Sequence, residues 1–271
     1  MSDMKIDIIY EDNNILAINK SAGIMVHGDG RSKEKTIVDW ILEKYPEIKG
    51  VGEPMILPDG TRIEKPGFVH RLDKDTSGIM LIAKNQKTFE FLKKQFQART
   101  IKKVYQAIVW GNVKEDKGKI DKPIGRSPST GYFLSSRGVR GKMREAVTEY
   151  KVIKRITNNQ QPTTDNKFTI LEVCPHTGRT HQIRVHLKYI NHPIICDKIY
   201  FDERGAPRTS TLVHGVRAKS NQSNLYASNM PCPVLGLDRL ALHAASVEFL
   251  LPNNKRMKLE APLPEEMKRL I

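Results

Sequence analysis

Apolar residues along this chain fall into short runs with two recurring spacings. Residues 6–10 and 15–19 are strand-length apolar runs on either side of the polar turn Glu11-Asp12-Asn13-Asn14, which predicts a pair of β-strands. Residues 36–45 carry Ile37, Trp40 and Ile41 at helical spacing, and residues 86–98 carry Phe89, Leu92 and Phe96 in the same way, so each predicts an amphipathic helix. Between them, residues 50–67 are punctuated by Gly and Pro and read as loop or short hairpin. The continuous run Ile79-Met80-Leu81-Ile82-Ala83 predicts a buried strand. Residues 102–110 alternate as a strand ended by Gly111, and 146–156, 168–173 and 246–251 predict further strands. A short helix is expected over 180–190, with Ile183, Leu187 and Ile190 on its apolar face and Thr180 as its cap, and a helical turn over 265–270.

Strands come in neighbouring runs rather than in strict alternation with helices. The pattern predicts an α+β fold: a mixed, largely antiparallel sheet with flanking helices and loops. The chain shows no internal repeat, and 1–271 is read as a single domain. Residues 205–238 are polar, rich in Ser and Asn, and without periodicity. A structureless segment of that length is uncommon, and it is read as an inserted loop.

Composition narrows the function. The 271 residues suffice for a sizeable core, and 39% hydrophobic with 28% charged residues describes a globular chain. Lys and Arg number 45 against 30 Asp and Glu, a formal charge of +15. Such an excess favours a polyanionic partner through phosphate neutralisation. Several basic clusters flank one acidic turn: Lys93, Lys94, Arg99, Lys102 and Lys103, then Arg126, then Arg137, Arg140, Lys142 and Arg144. That arrangement is expected to form a nucleic-acid track. The cysteines, Cys174, Cys196 and Cys232, include no C-x-x-C pair. Reduced thiols and a cytoplasmic setting are expected. The start of the chain lacks an export signal, and no run approaches the ~20 apolar residues of a membrane span.

Within that basic chain, Asp73 stands in Val69-His70-Arg71-Leu72-Asp73-Lys74-Asp75-Thr76-Ser77-Gly78, directly before the buried-strand run. A carboxylate at the rim of a sheet can act as nucleophile or general base; equally, it can cap backbone amides of its own turn. A second constellation is His176-Thr177-Gly178-Arg179-Thr180-His181-Gln182-Ile183-Arg184-Val185-His186. Its arginines can hold a carboxylate ionised or contact phosphate. Histidines five apart do not share a helical face, so no metal site is expected. Tyr105, beside Lys102 and Lys103, offers either a stacking surface for a base or ordinary strand packing.

Taken in order, these residues resemble the RluA-type pseudouridine synthases. His70-Arg71-Leu72-Asp73 with Thr76-Ser77-Gly78 is similar to the family's catalytic signature. Asn19-Lys20-Ser21-Ala22-Gly23 with Val26-His27 resembles its early element, and Lys103-Val104-Tyr105-Gln106-Ala107 with Gly111 its tyrosine strand. Thr177 to Leu187 resembles its C-terminal motif, followed by His192-Pro193-Ile194 with Asp197 and Tyr200, then Arg239-Leu240-Ala241-Leu242-His243-Ala244. The similarity runs from about Ile6 to Leu270.

The resemblance implies isomerisation of uridine to pseudouridine in structured RNA, either large-subunit ribosomal RNA or transfer RNA, with the target base flipped out of its stack. It maps Asp73 onto the nucleophile, Arg184 onto the arginine that pairs with it, and Tyr105 onto the tyrosine that stacks on uracil and assists proton transfer. Ile183 would wall the base pocket and Arg71 would fill the gap left by the flipped base. His70, Thr177, Arg179 and Gln182 join them as substrate-binding residues. A redox-neutral rearrangement implies no metal or organic cofactor, and no obligatory protein partner or membrane is expected. The chain begins at the catalytic domain, so the small RNA-binding domain often found ahead of it in relatives is expected to be absent, leaving the basic surface and residues 205–238 to recognise RNA.

Departures from the family pattern are Ser21 for a usual Pro, and Asn191, Cys196 and Phe201 for common glycines, where the backbone is expected to bend differently. An aspartyl-phosphate hydrolase is the rival enzyme, but Asp73-Lys74-Asp75-Thr76 is one residue short of that motif, and the residues before it make a poor apolar strand. A non-catalytic RNA binder would not need the Asp73, Tyr105 and Arg184 set.

Overall fold

The computed structural model describes residues 4–28, 34–56, 60, 62–127, 131–135, 142–157, 167–201 and 235–271. In chain order the elements are β1 (Asp7–Glu11), β2 (Ile15–Lys20), α1 (Ile37–Lys44), β3 (Met55–Ile56), β4 (Arg62–Ile63), β5 (Ser77–Ala83), α2 (Gln86–Gln97), β6 (Lys102–Trp110), β7 (Lys117–Asp121), β8 (Gly125–Arg126), β9 (Phe133–Leu134), β10 (Val147–Thr157), β11 (Lys167–Pro175), α3 (Gln182–Tyr189), β12 (Leu242–Leu250), β13 (Arg256–Glu260) and α4 (Glu265–Lys268). The chain divides into two compact units. The first holds residues 1–106, 173–180 and 242–264, and the second holds 107–172, 181–241 and 265–271.

In the first unit the strands run β1-β2-β5-β12, and β13 also pairs with β12. The β1–β2, β2–β5 and β12–β13 pairs are antiparallel, whereas β5 and β12 are parallel with His243 opposite Ser77. This is the mixed, largely antiparallel α+β arrangement that the sequence predicts. The strand β5 is buried at every position, as its uninterrupted apolar run requires when both faces are covered. Helix α1 begins at the capping box Thr36/Asp39 and buries Ile37, Val38, Trp40 and Ile41. Together with Leu16, Ile18, Leu81 and Leu92, the residues Ile37, Trp40 and Ile41 make one core. Residues 50–67 contain the short antiparallel hairpin β3–β4.

In the second unit the order is β11-β10-β7, and β10 is antiparallel to β7. Strand β7 escapes the sequence pattern because Lys117-Gly118-Lys119-Ile120-Asp121 buries only Ile120 strongly. The two-residue pair β8–β9 is too short to show there. A small core forms around Ile124, Ala146, Val185 and Tyr200. Helix α3 is buried from Gln182 through Leu187, on all faces rather than one. Its N-cap is His181, at φ 55° with no side-chain cap, and not Thr180 as expected.

Asn191 and Cys196, which stand where glycine is common, both take the left-handed backbone, at φ 63° and 59°. That conformation costs a residue carrying a Cβ about 1 kcal/mol. Cys174 is a free thiol. Residues 205–234 of the expected inserted loop, with Arg137 and Arg140 of the basic track, lie outside the described residues. No helix among the described residues is long and apolar enough to cross a membrane.

Candidate active site

The Asp73 segment owes its position to β5. Residues 67–72 run beside that strand: the Ala83 N–H donates to the Gly67 carbonyl at 2.9 Å, and the Leu81 N–H donates to His70 Nε2 at 2.9 Å. His70 also stacks on Phe96, with ring centroids 4.9 Å apart. Burial, assisted by the Lys103 charge, pushes the His70 pKa down to about 3. The ring is thus a neutral structural acceptor, and the backbone donor it satisfies explains why.

Beyond His70 the chain turns. The Thr76 N–H donates to the Asp73 carbonyl at 3.2 Å, and Thr76 and Ser77 are buried while Asp73 is half-buried. A second clamp comes from the end of β2. Lys20 is completely buried, and its ammonium donates to the carbonyls of Ser21, Ile24 and Lys74, each at 2.9 Å. The Gly23 N–H meets the same Lys74 carbonyl at 2.9 Å. The two early motifs therefore form one structure, in which Lys20 fixes the residue after Asp73. At the start of β5, Ser77 Oγ and His243 Nδ1 lie 2.8 Å apart in a buried pair. Gly78, at φ 115°, lies so close to β12 that a Cβ would sit 2.3 Å from the Ala244 carbonyl oxygen.

Tyr105 and Lys103 share one face of β6, two residues apart. Burial, with the Asp73 charge adding to it, raises the Tyr105 hydroxyl well above its ordinary value. The phenol therefore stays protonated, and Asp73 is close enough for its charge to be felt. Burial lowers the Lys103 ammonium to about 8, and its hydrogen bond is a long one of 3.4 Å to the Thr177 carbonyl. Thr177 is buried, and Arg179 is half-buried in the same segment. Arg71, exposed, donates from Nη1 to His27 Nε2 at 3.0 Å. The first unit thus brings together Asp73, His70, Arg71, Tyr105 and Thr177.

The second unit holds Gln182, Ile183 and Arg184. Arg184 makes a buried bidentate pair with Asp197, Nε to Oδ2 at 2.7 Å and Nη2 to Oδ1 at 2.8 Å. Asp197 Oδ1 also accepts the N–H groups of Ile199 and Tyr200, and the guanidinium lies over the Tyr200 ring at 5.2 Å. Two oxygens engaged in this way hold the planar fork in one orientation. Gln182 donates from Nε2 to the Val147 carbonyl and to Thr148 Oγ1, so its amide nitrogen braces α3 against β10. His186 spans Thr148 Oγ1 and the Lys122 carbonyl. Ile183 is buried.

Sequence reasoning assigns no role to Lys20, His27, Ser77, Asp197 or His243. Their motifs are visible in the chain, but what each side chain touches is not.

Comparison with known proteins adds an independent line. The sequence model of one family, described as RNA pseudouridylate synthase, matches residues 14–189. The chain is 33% identical over 270 residues to "Ribosomal large subunit pseudouridine synthase D" of Blochmanniella floridana, covering 99% of this chain and 73% of that protein. It is 34% identical over 270 residues to the protein of the same name from Yersinia pestis, covering 99% and 70%. An uncharacterized RNA pseudouridine synthase of Aquifex aeolicus is 39% identical over 207 residues, covering 76% of this chain and 60% of its own length. Among solved structures, human RNA pseudouridylate synthase domain containing 4 aligns with a TM-score of 0.64 at 26% identity, covering 97% of this chain and 90% of that one. Domain containing 1 aligns with a TM-score of 0.66 at 19% identity, covering 96% and 84%, and shares the fold.

Proposed function

The chain belongs to the RNA pseudouridylate synthase family, and on that premise we propose that it converts uridines of large-subunit ribosomal RNA to pseudouridine with Asp73 as nucleophile. The observation that carries the assignment is the mounting of Asp73. Its carboxylate stands half-buried on a turn held by Lys20 and by the backbone contacts along β5, near enough to Tyr105 to raise that hydroxyl. A turn aspartate that only capped amides would not need a buried ammonium to fix the next residue.

In this reading the target nucleotide leaves its stack and Arg71 takes the vacated space. The bond between uracil N1 and the ribose C1′ breaks, the uracil turns, and a bond forms between C5 and C1′, with the C5 hydrogen leaving as a proton and N1 taking one up. Asp73 forms a transient covalent bond, to the ribose or to the base ring, which splits the rearrangement into steps. Tyr105, held as a neutral phenol, stacks on the uracil; direct proton removal by its phenolate is disfavoured by the same burial. By its resemblance to the family motif, Arg184, oriented by Asp197, is the arginine assigned to the nucleophile, and Ile183 the residue assigned to wall the base. Residues 205–238 take part in RNA recognition, and the protein works in the cytoplasm. Relatives named for the large ribosomal subunit favour ribosomal over transfer RNA.

The test is tritium release from RNA labelled at uridine C5, with wild type and Asp73→Asn on separate ribosomal and transfer RNA pools. Release by wild type from the ribosomal pool, none by the variant, and retained RNA binding by the variant are expected. An active Asp73→Asn enzyme would overturn the catalytic assignment, and release from transfer RNA alone would overturn the substrate.

A further inference from the structure

The Arg71–His27 contact is unusual for an exposed arginine, because its acceptor is a neutral ring and not a carboxylate. A guanidinium cannot give up its protons, so the 3.0 Å contact between Arg71 Nη1 and His27 Nε2 requires that nitrogen to accept. The proton of a neutral His27 then resides on Nδ1, which lies 3.0 Å from the Gly28 carbonyl and donates to it. Both ring nitrogens are accounted for in one tautomer. Among the described residues no carboxylate pairs with Arg71, and the charged groups that His27 feels are Arg71 and Lys65, both cations. Burial and those two charges lower the His27 pKa, against the Gly28 carbonyl, which raises it.

We propose that His27 is a positioning residue for the reaction: its neutral ring aims the Arg71 guanidinium at the place of the flipped nucleotide and leaves the full positive charge of Arg71 for RNA. The inference rests on the isomerase reading above. A carboxylate in place of His27 would orient Arg71 more strongly, but it would neutralise the charge and repel phosphate. An imidazole gives direction without either effect. It also makes the device conditional, because a proton on Nε2 would set two donors against each other at hydrogen-bond distance.

The experiment compares wild type, His27→Gln, His27→Phe and Arg71→Gln from about pH 7 to about pH 5, the range in which histidine acts as a switch. Each is followed by RNA affinity and by tritium release under single-turnover conditions. In wild type, RNA affinity should fall by about tenfold toward the acid end while the rate of the bound complex changes less. His27→Gln, whose amide oxygen accepts from Arg71 without titrating, should keep its affinity across the range. His27→Phe should bind weakly throughout and add nothing to Arg71→Gln in the double variant. A His27→Gln profile that superimposes on wild type would overturn the proposal, as would additive effects of His27→Phe and Arg71→Gln. Because affinity is read apart from turnover, a wild type that shows the His27-dependent binding profile but releases no tritium would sink the isomerase reading and not this one.

Discussion

Lys20 donates from its ammonium to the carbonyl of Lys74 at 2.9 Å, across 54 positions of sequence, while being completely buried. A lysine in that state is retained only because the carbonyls of Ser21, Ile24 and Lys74 replace its water. Lys20→Met should take the ammonium donor from those carbonyls, of which Lys74 keeps the Gly23 N–H, and destabilise the protein by about 3 kcal/mol. Urea denaturation would measure it. Tritium release should fall further than the folded fraction does, because the residue after Asp73 is no longer held; loss in strict proportion to the folded fraction would refute that link.

Gly78→Ala should be among the most damaging single changes. The new Cβ would stand 2.3 Å from the Ala244 carbonyl oxygen, and φ is 115°. Neither backbone can retreat without parting β5 from β12. A loss of at least about 3 kcal/mol is expected, read as a shift of the denaturation midpoint.

His70 makes stability fall in acid. Its folded pKa of about 3 lies below the ordinary 6.5 of the unfolded chain. Between those values the unfolded chain binds a proton that the folded one refuses, so the contribution is complete above 6.5 and is lost as pH falls toward 3. The expected slope from this group is about 1.4 kcal/mol per pH unit. Subtracting the pH–stability curve of His70→Asn from that of wild type should isolate it; parallel curves would show that His70 does not carry it.

Lys103 acts at the alkaline end. Its folded pKa of about 8 lies below the ordinary 10.5. In that window the unfolded chain again holds the extra proton, so stability rises with pH from about 8 to 10.5 as the buried ammonium is relieved. Lys103→Met should remove that rise and stabilise the protein at neutral pH by on the order of 2 kcal/mol. Thermal denaturation of both proteins across the window decides it; an equal rise in the variant would contradict it.

The elements that can be read from the chain alone are those whose burial is periodic. The uninterrupted run of β5 and the helical spacing in α1 and α2 each follow from a local pattern repeated over enough residues. β7 is not legible because it buries little beyond Ile120. The cap of α3 falls elsewhere than expected because a threonine in the right place says nothing about φ, and the chain takes its left-handed turn at His181.

For the site, the sequence determined which residues to consider. Asp73, Tyr105 and Arg184 lie in motifs whose order along the chain identifies the family, and that information is linear. What only the tertiary structure decided is which partner each side chain has. Asp197 grips Arg184, Lys20 fixes the turn after Asp73, His70 serves the backbone of β5, and His27 contacts Arg71. The physical reason is that a hydrogen bond is specified by distance and angle between atoms. Those quantities exist only once β-sheet register has brought residues tens of positions apart to within about 3 Å of each other.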